Sequence, residues 1–244
     1  MLAQVGINTA QPNPNAALEV GVSAGRVGGF MPPSVTVAQR NAIPVTAADD
    51  GLMLYVADPC GNRSLQLFNG VALAWEDVMS WPVPSKIWDF GNDLATWPIS
   101  AGIGTSSIVV DNLGLFPIST SSNFGVVNAN PQTFPDGFTA ARRFLTNGPG
   151  YPGAFQVLPS QRYLYMGVSG SCRVKLWFRT GFNGVTRTMY VTDGVNVLGS
   201  QSSTTDNAIL EVNYTGGPTT LYIYGSAACN LYKLEVCGAL VSTP

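Results

Sequence analysis

The segment that most constrains this chain is Gly28-Gly29-Phe30-Met31-Pro32-Pro33-Ser34-Val35-Thr36-Val37-Ala38-Gln39-Arg40-Asn41-Ala42-Ile43, followed by Gly51-Leu52-Met53-Leu54-Tyr55-Val56. Pro32 and Pro33 hold the backbone extended, Thr36 with Gln39 three residues on forms a capping box that starts a helix, and Ile43 before Pro44 stops it. Such a helix has only about two turns and is not stable without packing. From Asp50 the period changes to two. Met53 to Val56 and Leu65 to Phe68 read as strands separated by a turn at Asp58 to Asn62. Asn69-Gly70 reads as a two-residue hairpin turn, and Val71 to Trp75 as the returning strand. Two short hairpins and one short helix do not bury a self-sufficient core in about 50 residues. Three copies around an axis do, so residues 28–80 are predicted to trimerise.

The rest of the chain organises around that segment. Residues 1–27, rich in Asn, Gln, Pro, Ala and Gly, read as an extended attachment segment ordered by a neighbour. Ser80-Trp81-Pro82-Val83-Pro84-Ser85 reads as a linker, assigned to residues 81–85, because its prolines remove backbone donors. Residues 86–244 lack helical periodicity. Strand signals fall at Ser107 to Val110, Ala140 to Leu145, Arg162 to Val168, Cys172 to Arg179, Thr186 to Thr192, Ala208 to Asn213, Thr219 to Tyr224 and Leu231 to Val236. About eight strands with Gly/Asn/Ser turns predict an all-β chain whose C-terminal domain is a jelly-roll-type β-sandwich.

Composition narrows the function. Hydrophobic residues make up 45% of the chain, enough for a core, while only 11% are charged. Three basic and six acidic residues precede Lys86, and nine basic and eight acidic follow from it, so neither half carries a nucleic-acid footprint. No window reaches the ~18 apolar residues of a membrane span. Met1-Leu2-Ala3-Gln4 has neither the charged start nor the apolar run of a signal peptide, so the product is expected to be cytosolic at synthesis. On that basis Cys60, Cys172, Cys229 and Cys237 are expected as buried or free thiols, and the Asn62 and Asn213 sequons as chance matches.

There is no histidine, which removes the usual general base and the commonest metal ligand. Gly21-Val22-Ser23-Ala24-Gly25 therefore has no Ser-His partner. Gly148-Pro149-Gly150-Tyr151-Pro152-Gly153 fits a dinucleotide fingerprint only as a string, since its prolines deny the donors a phosphate needs. Asp89, Asn92 and Asp93 are close enough in sequence to share Ca²⁺, with turn capping as the competing reading, and no other cofactor is expected. Tyr151, in a Gly/Pro-rich loop, and Tyr222 and Tyr224, on one strand face, are the candidate stacking surfaces for sugar rings. No motif marks a catalytic carboxylate pair, so no enzymatic activity is expected.

Several motifs resemble a known module. Gly29 to Ile43, Gly51 to Val56 and Phe68 to Trp75 carry the Gly-Phe-(Leu/Met)-Pro-Pro, x-x-Gln-Arg-x-Ala-Ile, Gly-Leu-x-x-Tyr and Asn-Gly-x-x-x-Trp pattern of bacteriophage fibre proteins and some bacterial surface proteins. Val5 to Pro12 and Ala16 to Val20 resemble the opening that usually precedes it. The resemblance implies assembly through Phe30, Pro32, Pro33, Gln39, Arg40, Ile43, Tyr55 and Trp75. More loosely, Trp88 to Phe90, Arg143 to Gly148 and Leu231 to Val236 resemble β-sandwich modules, often carbohydrate-binding, appended to polysaccharide-degrading enzymes. Together these imply a virion structural protein assembled in the host cytoplasm: a trimeric head fibre, tail fibre or decoration subunit. Its partners would be its own copies, capsid or tail proteins and host-surface glycans, with no nucleic acid and no membrane insertion. The alternatives are a bacterial cell-surface adhesin or carbohydrate-binding module, exposed outside the cell, and a polysaccharide lyase or hydrolase fragment.

Overall fold

The computed structural model describes residues 5–11, 18–21, 30–57, 60 and 63–242. Gly28 and Gly29, most of the Gly21 to Gly25 string, the Asn62 sequon and most of the turn at Asp58 to Asn62 lie outside these residues. The chain divides into two units, residues 1–58 with 63–81 and residues 59–62 with 82–244.

In the first unit, β1 (Val5–Ile7) and β2 (Leu18–Val20) pair in parallel. β3 (Ser34–Val35), β4 (Met53–Ala57), β5 (Arg63–Asn69) and β6 (Ala74–Trp81) form a sheet in that order. The predicted capping box starts α1 (Val37–Asn41): Gln39 N–H donates to Thr36 Oγ1 at 3.1 Å, and Thr36 N–H to Gln39 Oε1 at 2.9 Å. Arg40 then donates to Gln66 Oε1 at 3.0 Å, and Gln66 Nε2 to Asp77 Oδ1 at 2.7 Å, tying the helix to β5 and β6. The hairpin departs from the two-residue turn read at Asn69-Gly70. Residues 70–73 form the loop, the positive φ falls on Leu73, and Asn69 Oδ1 accepts the N–H groups of Val71 and Ala72. Gly70 serves close approach instead, since a Cβ there would stand 2.6 Å from Ala47 O.

This unit has little interior of its own. Its buried apolar side chains among the described residues are Leu54, Val56 and Phe68, whereas Phe30, Met31, Val78, Met79 and Trp81 are exposed. Every residue of β6 except Trp75 is exposed, although the strand is eight residues long and forms a sheet edge. β6 includes Trp81 and the next strand begins at Ser85, so the linker read at 81–85 shortens to Pro82, Val83 and Pro84. The reason is local: Trp81 pairs with Arg63 and Ser85 with Cys237, while neither proline can donate to a ladder.

The second unit contains β7 (Ser85–Trp88), β8 (Ser100–Ala101), β9 (Ile108–Val110), β10 (Leu113–Phe116), β11 (Val126–Thr133), β12 (Thr139–Leu145), β13 (Tyr163–Val168), β14 (Cys172–Thr180), β15 (Arg187–Thr192), β16 (Val197–Ser203), β17 (Ala208–Tyr214), β18 (Thr219–Gly225), β19 (Cys229–Cys237) and β20 (Val241–Ser242). One sheet runs β16-β15-β18-β13-β10-β9 with β20 beside β13; the other runs β17-β14-β19-β12-β11-β8 with β7 beside β19. Every pairing in both is antiparallel, and the chain passes repeatedly between the sheets in a jelly-roll-type sandwich. Alternation explains the core. Leu164, Met166, Leu221 and Ile223 from one sheet and Val174, Leu176, Leu234 and Val236 from the other point into one apolar cluster with Trp88, Phe90 and Phe144. Alternation holds through Cys172 to Arg179, with Phe178 inward and Trp177 outward, while a bulge opposite Trp177/Phe178 adds Tyr232 to β19, so Tyr232 and Lys233 both lie on the outer face beside Trp177.

The cysteine expectation is corrected for two of the four. Cys60 and Cys237 form a disulfide with Cα atoms 5.1 Å apart, while Cys172 and Cys229 are free and buried. The partners are 177 residues apart, so no sequence spacing reveals the pairing. Among the described residues no helix is long and apolar enough to cross a membrane.

Candidate functional site

Where one strand face builds the core, the opposite face is left for chemistry. On the β16-to-β9 sheet that outer face is aromatic. Register places Phe116 beside Tyr163, Tyr165 beside Tyr222 and Tyr190 beside Tyr224. Phe116 and Tyr163 stack at 4.7 Å and 10°, with the Tyr165 and Tyr222 rings 5.5 and 5.7 Å from Tyr163. All four are half-buried. Burial, with Tyr222 and Tyr165 adding to it, pushes the Tyr163 hydroxyl up to about 12. A pocket of about 280 Å³ adjoins it, lined by Thr105, Ser107, Ser119, Ser160 and Gln161 around Phe116. An aromatic wall with hydroxyl and amide groups beside it suits a neutral polyhydroxylated ligand.

Two of the three tyrosines expected here are not available. The connection between β12 and β13 folds back over the sheet: Gly150 N–H donates to Gly225 O at 2.9 Å, and Thr192 Oγ1 to Val157 O at 2.8 Å. Tyr224 lies beneath it, fully buried, with its hydroxyl donating to Gln156 O at 2.7 Å. Tyr151 is only 7% exposed, edge-on to Phe155 and Tyr224, so its Gly/Pro-rich loop does not make it the exposed ring. Tyr222 remains on the open part of the face. Phe116 was missed because Gly114 and Pro117 obscure its strand; the Leu113/Leu115 alternation is the signal that finds it.

The outer face of the other sheet is charged. Arg173 is 3.4 Å from Glu211 and 3.9 Å from Glu235, and Lys233 is 3.5 Å from Glu235. Lys175 and Lys233 stand 4.6 and 4.2 Å from the Trp177 ring centre, and Trp177 Nε1 donates to Asp136 Oδ2 at 3.0 Å. Burial raises the Asp136 pKa, but hydrogen bonds from Lys175, Phe138 N–H and Trp177 outweigh it and hold the carboxyl below its ordinary value. Glu211 and Glu235 therefore lie on the outer face, as alternation predicts.

The calcium candidates act as turn caps. Asp89 Oδ1 accepts the N–H groups of Gly91 and Asn92, and Asn92 bridges Asp89 Oδ2 to Thr139 O while accepting from Ala141 N–H. Asp93 Oδ1 accepts from Ala95 and Thr96, and the Thr96 hydrogen bonds lower its pKa. The structure brings Asp89 and Asn92 together and engages their oxygens with N–H donors, the arrangement of the capping reading. Asn92 also lines a polar groove of about 540 Å³ with Gln132, Thr133, Thr139 and Asn207.

The assembly candidates all belong to the first unit. Phe30, Pro33 and Gln39 are exposed, and Pro32, Arg40, Ile43, Tyr55 and Trp75 are half-buried. Tyr55 and Trp75 contact Trp81 and Phe68, with ring centres 6.1 and 5.4 Å apart.

Residues 6–95 match the family model described as the phage tail like trimerisation region. No curated protein matches the chain. Among solved structures the chain is similar to a family two carbohydrate esterase from Cellvibrio japonicus, with 11% identity over 66% of this chain and 36% of that one and a TM-score of 0.32. It is also similar to a chain from the Ruminococcus flavefaciens cellulosome, at 16% identity over 65% of this chain and 98% of that one, with a TM-score of 0.35. A third is the CBM36-1 domain of a multidomain xylanase from the hindgut metagenome of Trinervitermes trinervoides, at 13% identity over 45% and 86% of the two chains, with a TM-score of 0.28. The chain spans about a third of the esterase's length. At these identities and scores no residue role or ligand is carried across.

Proposed function

We propose that this chain is a subunit of a trimeric phage fibre or decoration protein that assembles through its N-terminal unit and presents its β-sandwich to surface glycans. The match of residues 6–95 to a phage tail-like trimerisation region carries the reading. The physics of the unit supports it: among the described residues three buried apolar side chains do not stabilise a four-stranded sheet, and β6, at the edge of that sheet, offers Val78, Met79 and Trp81 to neighbouring copies. For the sandwich, the support is the half-buried aromatic face and its adjoining hydroxyl-lined pocket. The Cys60–Cys237 disulfide suits a particle that works outside a reducing cytosol. The role is binding rather than catalysis, and a trimer would convert weak single sites into avidity gains of about 10²-fold or more.

Mass photometry of the full chain should give three copies per particle at micromolar concentration. Val78→Asp with Met79→Asp, both at exposed positions of the single chain, should release monomers whose sandwich still melts cooperatively. A wild-type monomer that stays folded at that concentration refutes the assembly. Product release from any bound glycan, lost on substituting one Asp or Glu, refutes the non-catalytic role.

A further inference from the structure

We propose that a pocket between Arg143 and Arg179, on the outer face of the β17-to-β8 sheet, binds the anionic group of an acidic sugar. The inference rests on the glycan-binding part of the reading above and names a ligand class and a site that the aromatic face does not supply. The pocket measures about 330 Å³, the scale of one sugar ring, and is lined by Asn130, Arg143, Arg179, Gly181, Asn183 and Asn230. Charge compensation singles it out. Lys86, Lys175, Lys233 and Arg173 all stand in ion pairs. Arg142, Arg143, Arg162, Arg179 and Arg187 have no acidic partner among the described residues, and of these Arg143 and Arg179 line the same pocket. Arg187 adds positive charge close by, because a Cβ on Gly181 would stand 2.8 Å from its Nη1.

Neutral amides hold the two guanidinium groups. Arg143 Nε donates to Asn128 Oδ1 at 2.9 Å, and Arg179 donates from Nη1 to Gln132 Oε1 and from Nη2 to Asn183 Oδ1, both at 3.0 Å. These bonds orient the side chains and leave their charge uncompensated. Arg179 Nε and Asn230 Oδ1 are buried without a hydrogen-bond partner, so the polar complement of the pocket is incomplete. A planar guanidinium matches a carboxylate or a sulfate in fork geometry, and the surrounding amides suit ring hydroxyls.

The test uses the full chain with three probes that differ only at one sugar carbon: glucuronic acid, glucose 6-sulfate and glucose. Titration at low ionic strength, followed by NMR, should show at least one acidic probe binding about tenfold or more tighter than glucose, with the preference fading in salt. Which acid wins distinguishes carboxylate from sulfate. Arg143→Ala and Arg179→Ala should each weaken that probe about tenfold, and Arg179→Lys should recover only part, because it keeps the charge and loses the fork. Acidic probes that bind no tighter than glucose overturn the proposal. So does undiminished acid binding by an Arg143→Ala/Arg179→Ala protein that melts like the wild type. Binding of neutral glycans lost on Phe116→Ala, without any acid preference, sinks this site and leaves the glycan reading standing.

Discussion

Gly114 sits in β10 directly beneath the Tyr165 ring, and Gly114→Ala tests whether the aromatic face is as closely built as the structure implies. A Cβ at this position would stand 2.3, 2.4 and 2.6 Å from Cε1, Cζ and Cδ1 of Tyr165. Carbon atoms prefer about 3.5–4.0 Å, so the ring must move by an ångström or more, away from its contact with Tyr163. Overpacking of this kind costs about 1–3 kcal/mol. For a domain the size of the sandwich, each kcal/mol lowers Tm by about 2–4 °C, which gives a loss of about 2–12 °C. The control is Tyr165→Ala, which removes the obstructing ring. Gly114 has no positive φ, so in that background the added methyl should be neutral or stabilise by up to about 1 kcal/mol through the unfolded chain. Calorimetric melts of the four proteins close a double-mutant cycle, and coupling above about 1 kcal/mol is the expected result. Equal losses from Gly114→Ala in both backgrounds, or no loss in either, refute the reasoning.

Burial raises the Tyr163, Tyr224 and Tyr232 pKa values to about 12 from the ordinary tyrosine value of about 10, so above pH 10 the unfolded chain releases protons that the folded chain retains. Stability should be fully present below pH 10 and fall as pH rises toward 12, by about 2–3 kcal/mol each for the fully buried Tyr224 and Tyr232. Stability that stays level between pH 10 and 12, or that falls just as far in Tyr224→Phe and Tyr232→Phe proteins, would contradict this. Burial likewise pushes the Cys172 and Cys229 thiols up to about 11 and 12, so neither should react with a thiol reagent in the native protein near neutral pH. Denaturation should release these two thiols, and only added reductant should bring the count to four; four without reductant would disprove the Cys60–Cys237 bond.

Sequence pattern alone determined the class of the fold and much of its strand placement, because alternation and capping are local. Cys172 to Arg179, Ala208 to Asn213 and Thr219 to Tyr224 each lie within an observed strand that extends them by one residue. The Thr36/Gln39 box forms for the same reason, its groups being three residues apart. Strands β10, β11 and β16 were not legible, since Gly114, the Asn128–Pro131 stretch and Gly199 read as turn chemistry. Only the folded sheet shows what the two glycines do: Gly114 gives way to Tyr165, and a Cβ on Gly199 would meet Val212 Cγ2 at 2.5 Å. Alternation likewise assigned Tyr222 and Tyr224 to one face but carried no information about a loop folding back over part of it, which buries Tyr224 and Tyr151 and leaves Tyr222 open. The pairing of Cys60 with Cys237 and the gathering of Arg143 and Arg179 at one pocket belong to the same class of fact. Each depends on groups distant in sequence meeting across sheets and loops, and propensity and period describe only what neighbouring residues do to one another.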